Sequence, residues 1–159
     1  MYIKKILLAI LVWNWEPMGG VVWSIDPSSW AYDALYVLFF TGWIVLFTSS
    51  FLINHFDLFG LRQTFLELKG ESYTPLKFRV KSFYKFIRHP LYLGGIVGLW
   101  AAPYMTVTHL VFAILLTSYF VIGALFEEQD LMEDFGEMYK GYMRETPMFI
   151  PFFKWTKSA

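Results

Sequence analysis

Cysteine is absent from all 159 positions, which excludes disulfides, thiolate metal sites and a cysteine nucleophile. If sulfur chemistry occurs here, the sulfur arrives with a ligand. Charge is scarce: Asp, Glu, Lys and Arg make up 16% of the residues, and thirteen basic side chains balance thirteen acidic ones. Nucleic acid is therefore not an expected partner. No internal repeat or low-complexity tract is found. Between Glu16 and Trp30 there is neither Lys nor Arg, an absence that later orients the chain.

What is abundant is apolar and aromatic. Hydrophobic residues reach 57% and aromatic residues 21%, more than an ordinary soluble core uses. Rings with a polar edge have a natural depth near lipid headgroups. The composition predicts an integral membrane protein with the lipid bilayer as its partner.

A hydrocarbon core of about 30 Å needs roughly 20 helical residues. The run over 31–53 meets that length even with Asp33 at its mouth. The stretch over 91–125 is long enough for two helices and is interrupted near "APYMTVTH", where Pro103 cannot donate a backbone hydrogen bond and His109 marks a polar elbow at the interface. This predicts a tight helical hairpin. The first segment, in 1–16, is shorter: the ten residues between Lys5 and Glu16 cover about 15 Å as a helix. Either Lys4 and Lys5 snorkel while the bilayer thins, or the span is truncated. Those lysines before an apolar run imitate a signal peptide, but no small-x-small cleavage site follows, so the segment is expected to be retained.

Charge gives orientation. The connection over 54–90 holds Arg62, Lys69, Lys77, Arg79, Lys81, Lys85 and Arg88, and Lys140, Arg144, Lys154 and Lys157 follow the hairpin. The positive-inside rule puts both regions in the cytoplasm. The expected architecture is a single domain over 1–159, all-α and integral to the membrane. It has about four transmembrane helices, a cytoplasmic connection over 54–90 and a cytoplasmic tail over 126–159 carrying an amphipathic C-terminal helix. Both termini are expected in the cytoplasm, in a bacterial inner membrane.

Three clusters then share one side: "NHFDLFGLRQ" from 54, "RHPLYLGG" from 88 and "FEEQDLMEDFGEMYKGYMRETP" from 126. In the third, Glu128, Leu131, Phe135, Met138 and Tyr142 recur at helical spacing, while Glu127, Asp130, Glu133, Asp134 and Glu137 suit a solvated acidic face. Glu127 and Glu128 stand where the hairpin leaves the membrane, so each must pair with a cation or hold its proton. Arg88 and His89, at the hairpin's entrance, are natural neighbours. Pro90 suits a first helical turn, and Gly94 and Gly95 admit a second backbone or a flat ligand. The ordinary reading is a helix cap with Arg88 anchored to lipid phosphate. The functional reading is a bipolar ligand, its carboxylate toward Arg88 or the helix start and its cation toward Glu127, Glu128 and the rings of Tyr139 and Tyr142.

"RHPLYLGG", then "EEQDLMEDFGEMYKGY" after about thirty residues, then "PMFIP", resembles the isoprenylcysteine carboxyl methyltransferase superfamily, membrane enzymes that use S-adenosylmethionine. Within it, "FLINHFDLFGLRQ", "YTPLKFR" and "MTVTHLVFA" are similar to the methanethiol S-methyltransferases, which make dimethyl sulfide, and the likeness runs from about Val21 to Pro151. The resemblance implies that Arg88, His89, Pro90, Tyr92 and Gly94 match the cofactor-holding motif and that Glu127 and Glu128 match the acidic pair needed for binding. It also implies that Tyr139, Tyr142 and Arg144 lie in a tail that helps close the pocket. Two departures stand out. Carboxyl methyltransferases commonly carry an arginine near Met148, which is missing here, and the amino end is shorter than the thiol enzymes lead one to expect.

Methyl transfer to sulfur turns a thiolate and a sulfonium into two neutral thioethers, so a water-poor membrane boundary favours it, and no metal is required. The thiol must lose its proton. His55 is the candidate base, with Asp57 as an orienting or alternative group and Arg62 lending positive potential; the ordinary reading is that "NHFD" closes a helix in the headgroup layer. If His55 is distal, His89 or hydroxide takes the role. Other acceptors remain open, a prenylcysteine carboxylate or a phospholipid amine. So do an NADPH-dependent membrane reductase, since sterol reductases resemble the superfamily in their carboxyl half, and a non-catalytic assembly subunit.

Overall fold

The computed structural model describes residues 13, 16–53, 61–72 and 78–150. Most of the short first segment, and the stretch with His55 and Asp57, lie outside the described residues. In chain order the elements are β1 (Val21–Ser24), α1 (Trp30–Ile53), α2 (Leu61–Lys69), a 3-10 turn (Ser82–Lys85), α3 (Pro90–Trp100), β2 (Tyr104–Thr106), α4 (Val107–Phe135) and α5 (Glu137–Glu145).

Local chemistry sets where the helices begin. Asp26 Oδ1 accepts from the Ser28 backbone N–H at 2.8 Å and from the Ser28 hydroxyl at 2.7 Å, and Ser29 Oγ accepts from Ala31 N–H at 3.3 Å, so α1 starts from a turn that satisfies its first free donors. Pro90 opens α3, where a missing N–H costs nothing. Thr106 caps α4, its side chain accepting from His109 N–H at 3.1 Å. His109 also ties back to α3, with Nε2 2.9 Å from the Leu99 carbonyl.

Two of these helices, α1 and α4, are long and apolar enough to cross a membrane. Phe40, Ile44, Phe47 and Phe51 on α1, and Leu115, Tyr119, Ile122 and Phe126 on α4, recur at helical spacing and are each more than half exposed. A soluble protein turns such stripes inward; here they point outward, as lipid-facing helices do. The hairpin is unequal. Eleven residues give α3 a length of about 16 Å, while α4 continues through residue 125 to Phe135, so Glu127 and Glu128 ride on the long helix itself.

The all-α expectation needs a correction. β1 and β2 pair antiparallel, Val21 with Thr106, Trp23 with Met105 and Ser24 with Tyr104, with an irregularity between Val21 and Trp23. Trp23 Nε1 donates to the Ala102 carbonyl at 2.9 Å, and Met105 beneath is fully buried. This small sheet closes the end of the bundle where α1 begins and the hairpin turns. Strands of four and three residues are too short for a period of two to register in sequence.

A second correction concerns the stripe from Glu128 to Tyr142. Gly136 adopts φ +53° and caps α4, its N–H donating to the Met132 carbonyl at 3.0 Å. The chain turns there, so Tyr139 in α5 is buried and Met138 is 63% exposed. Helical counting through Gly136 selects the wrong residue.

Candidate functional site

Arg88 and His89 lead into α3; Glu127 and Glu128 lie on α4 about 20 residues after its start, where a helix of 1.5 Å rise leaves a 30 Å hydrocarbon layer. Arg88 Nε donates to Glu128 Oε1 at 2.6 Å, and the two side chains are 10% and 8% exposed. His89 Nε2 lies 3.1 Å from the same oxygen, and its Nδ1 lies 3.7 Å from Glu127 Oε2. A charge alone at this depth would be expensive. Each of these groups is compensated by another forty or so residues away in sequence.

Arg88 also fastens the tail. Its Nη1 donates to the Met143 carbonyl at 3.2 Å and to the Thr146 carbonyl, and the backbone N–H groups of Arg88 and His89 donate to Pro147 O at 2.9 Å and Met148 O at 3.1 Å. The segment after α5 is thereby laid across the entrance to α3. Rings complete the wall: His89 stacks on Tyr92 with centroids 5.5 Å apart, Tyr92 stacks on Phe120, and Phe149 tilts against His89. Behind them Phe78 touches Phe135, Tyr139 and Tyr142. The Tyr142 hydroxyl donates to the Tyr84 carbonyl at 2.5 Å, and the Tyr84 hydroxyl donates to the Ser49 carbonyl at 3.4 Å.

Burial pushes the Tyr84, Tyr139 and Tyr142 phenols above the ordinary tyrosine range, and the nearby acids Glu127 and Glu128 add to the effect. Above about pH 10 an unfolded chain loses these protons while the folded one keeps them, so stability contributed below that pH is lost as pH rises further. In detergent, an ultraviolet titration is expected to show at least these three tyrosines ionising only with unfolding. Ionisation of all ten in one early step would contradict this layer.

The chain is 46% identical over 149 residues to the methanethiol S-methyltransferase of Crocosphaera subtropica, covering 94% of this chain and 58% of that protein. It is 44% identical to methanethiol S-methyltransferase 1 of Bradyrhizobium diazoefficiens, over 96% of this chain and 52% of the relative, and 42% identical to the Mycobacterium tuberculosis methanethiol S-methyltransferase, over 94% and 61%. The chain is a relative of the methanethiol S-methyltransferases. It spans between half and two thirds of the length of these three proteins. No family model and no solved structure matches it.

The structure gathers Arg88, His89, Tyr92, Glu127 and Glu128 into one cluster, with Pro90 buried at the first turn of α3. Tyr139 and Tyr142 form the layer behind it, and Arg144 is exposed on α5. Gly94 is turned away: a Cβ there would lie 2.6 Å from the Gly42 carbonyl oxygen on α1, so of the two uses open to this glycine, backbone approach accounts for it. Arg62 occupies the first turn of α2, while His55 and Asp57 lie outside the described residues. Sequence reasoning did not single out Phe149, Phe78 or the carbonyls of Met143 and Thr146. Phe149 had a signal, an aromatic between Pro147 and Pro151; backbone carbonyls carry none.

Proposed function

We propose that the chain transfers a methyl group to the sulfur of a small thiol, converting methanethiol to dimethyl sulfide, with S-adenosylmethionine as donor. The identity of 46% across 94% of the chain to a protein of that name carries the reading. In this proposal the chain sits in a bacterial inner membrane with about four crossings, the cluster and the amphipathic α5 face the cytoplasm, and both termini lie there.

The residues present fit a bipolar sulfonium nucleotide. Glu127 is 41% exposed and lies beside Tyr92, whose phenol it influences, so a cationic centre meets a countercharge and ring faces together. Arg88 is less available, because Nε and Nη1 are committed to Glu128 and to two carbonyls. Its part is to hold Glu128 and the tail in place. When bound, such a donor supplies an electrophilic methyl group. The chain holds the cation at Glu127, aligns the acceptor against it, and keeps water away with Tyr92, Phe120 and Phe149. His55, Asp57 and Arg62 supply polar groups on the thiol side in this reading.

Cells expressing the chain and fed methanethiol are expected to release dimethyl sulfide into the headspace, whereas a Glu128→Gln variant releases none above background. Labelled methyl appearing on a prenylated cysteine or a lipid amine, with no dimethyl sulfide, would reassign the acceptor. NADPH oxidation without methyl transfer would remove the proposal altogether.

A further inference from the structure

On α2, Leu61, Phe65 and Leu68 are 53%, 55% and 82% exposed, and their spacing of four and then three puts them along one side of the helix. Leu66, half-buried, and Glu67, exposed, stand outside that stripe. The helix stops directly after it. Gly70 takes φ +70°, its N–H donates to the Glu67 carbonyl at 3.0 Å, and the Glu71 N–H donates to the Leu66 carbonyl at 3.0 Å, the paired bonds of a Schellman ending. With nine residues, α2 is about 14 Å long, too short to cross a bilayer. An apolar stripe running the whole length of so short a helix is covered only when the helix lies flat on an apolar surface.

That surface is identified by what adjoins α2 and by its charge. The chain arrives from the lipid-facing end of α1, where Phe51, two residues before the helix ends, is 65% exposed. This end of α1 lies on the side of the Arg88–Glu128 cluster, since the Ser49 carbonyl accepts from Tyr84, whose own carbonyl accepts from Tyr142. Eight positions after α1 ends, the stripe on α2 takes up an apolar face of the kind that already meets lipid. Over 54–90 the seven basic residues outnumber the acids Asp57, Glu67 and Glu71, an excess that suits anionic headgroups. Lys69 shows the arrangement locally: its Nζ stands 4.6 Å from the centroid of the Phe65 ring, so a cation is held at the face of a ring in the stripe. A lysine in the headgroup layer adopts that posture, its charge among phosphates and its stem along apolar surface. The 3-10 turn repeats the pairing, with Phe86 65% exposed next to the exposed Lys85. A second copy of the chain suits the stripe poorly, because three side chains on so short a helix offer far less than the roughly 800 Å² each partner gives to a stable protein interface.

We infer that α2 is an in-plane helix of the bilayer, in the leaflet beside the cluster, with Leu61, Phe65 and Leu68 at the boundary of headgroups and acyl chains and Lys69 on anionic lipid phosphate. Part of the connection between α1 and α3 is then a membrane-surface anchor instead of a solvated loop. The inference needs neither the methyl donor nor the thiol, so it stands or falls apart from the proposed reaction.

Because the chain has no cysteine, single nitroxide labels can be placed on the full chain through Phe65→Cys, Leu68→Cys and Glu67→Cys, each at an exposed side chain. The labelled chains are measured in vesicles of phosphatidylcholine, alone or mixed with phosphatidylglycerol. Collisions with oxygen report lipid, and collisions with a nickel chelate report water. Labels at positions 65 and 68 are expected to give an oxygen-to-nickel ratio several-fold above that at 67. Phosphatidylglycerol is expected to raise the ratio at 68 further, and adding Lys69→Gln should cancel that rise. A nickel collision rate at 68 equal to that at 67 would put the stripe in water. Shielding of 68 from both reagents would give it to this chain's own bundle, and dipolar broadening between labelled copies would give it to a second copy. Each of these three results overturns the inference, and a ratio indifferent to phosphatidylglycerol overturns the part assigned to Lys69.

Discussion

Replacing Glu128 by glutamine is expected to lower stability by about 3–5 kcal/mol and to abolish the proposed methyl transfer. The expectation follows from the company this carboxylate keeps. Its Oε1 receives Arg88 Nε at 2.6 Å and faces His89 Nε2 at 3.1 Å, and its side chain is 8% exposed. Glutamine keeps the shape and one accepting oxygen but removes the charge, leaving the guanidinium buried with carbonyls alone to solvate it. Because Arg88 also grips Met143 O and Thr146 O, the strain passes to the tail, and backbone amide exchange at Arg88 and His89 should rise with it. A paired replacement separates the two consequences. Arg88→Met with Glu128→Leu removes both charges together, so it should be less destabilised than either single change while staying inactive. Chemical unfolding in micelles reads the first effect and headspace analysis the second. A double variant as unstable as the sum of the singles would show that the two side chains act independently.

How much of this was legible beforehand depends on what forces each contact. The meeting of Arg88 and His89 with Glu127 and Glu128 could be foreseen because an unpaired charge near hydrocarbon is so costly that a partner had to exist, and only one opposite cluster was at hand. The length of α1 followed from bilayer thickness in the same way, whereas α4 runs ten residues past the expected end of the hairpin. The tail contacts could not be read, since every peptide unit has the same carbonyl and nothing marks those of Met143 and Thr146 as the two that Arg88 takes. Tyr139 was placed in the tail by resemblance, but its burial was missed because Gly136 breaks the helical count three residues before it. The β1–β2 pair escaped for a different reason: its register joins residues some eighty positions apart, and neither strand is long enough to declare itself.

The largest purely structural effect is expected at the crossing of α1 and α3. Gly42 and Gly94 face each other there: a Cβ on Gly42 would stand 2.6 Å from the Gly98 amide nitrogen and 2.7 Å from the Gly94 carbonyl oxygen, and a Cβ on Gly94 would stand 2.6 Å from the Gly42 oxygen and 2.7 Å from the Leu46 nitrogen. These are backbone atoms, which cannot rotate aside, so even alanine must push the helices apart. Close backbone approach through small residues is a main source of helix association in a bilayer, where lipid tails already satisfy apolar surface. Gly42→Ala and Gly94→Ala should therefore each destabilise by about 1–3 kcal/mol, and the double variant by less than the sum, since the first methyl has already parted the pair. Gly141→Ala in α5, where a new Cβ meets nothing within 4 Å, serves as the control and should be neutral or stabilising by about 0.5–1 kcal/mol. The seam also bears on the site: the Tyr84 hydroxyl reaches the Ser49 carbonyl on α1, and Tyr142 bonds the Tyr84 carbonyl. Parting α1 from α3 should loosen that chain of contacts and raise KM for the donor before it lowers kcat. Wild-type unfolding midpoints for both alanine variants would mean that the two helices do not approach this closely in the membrane.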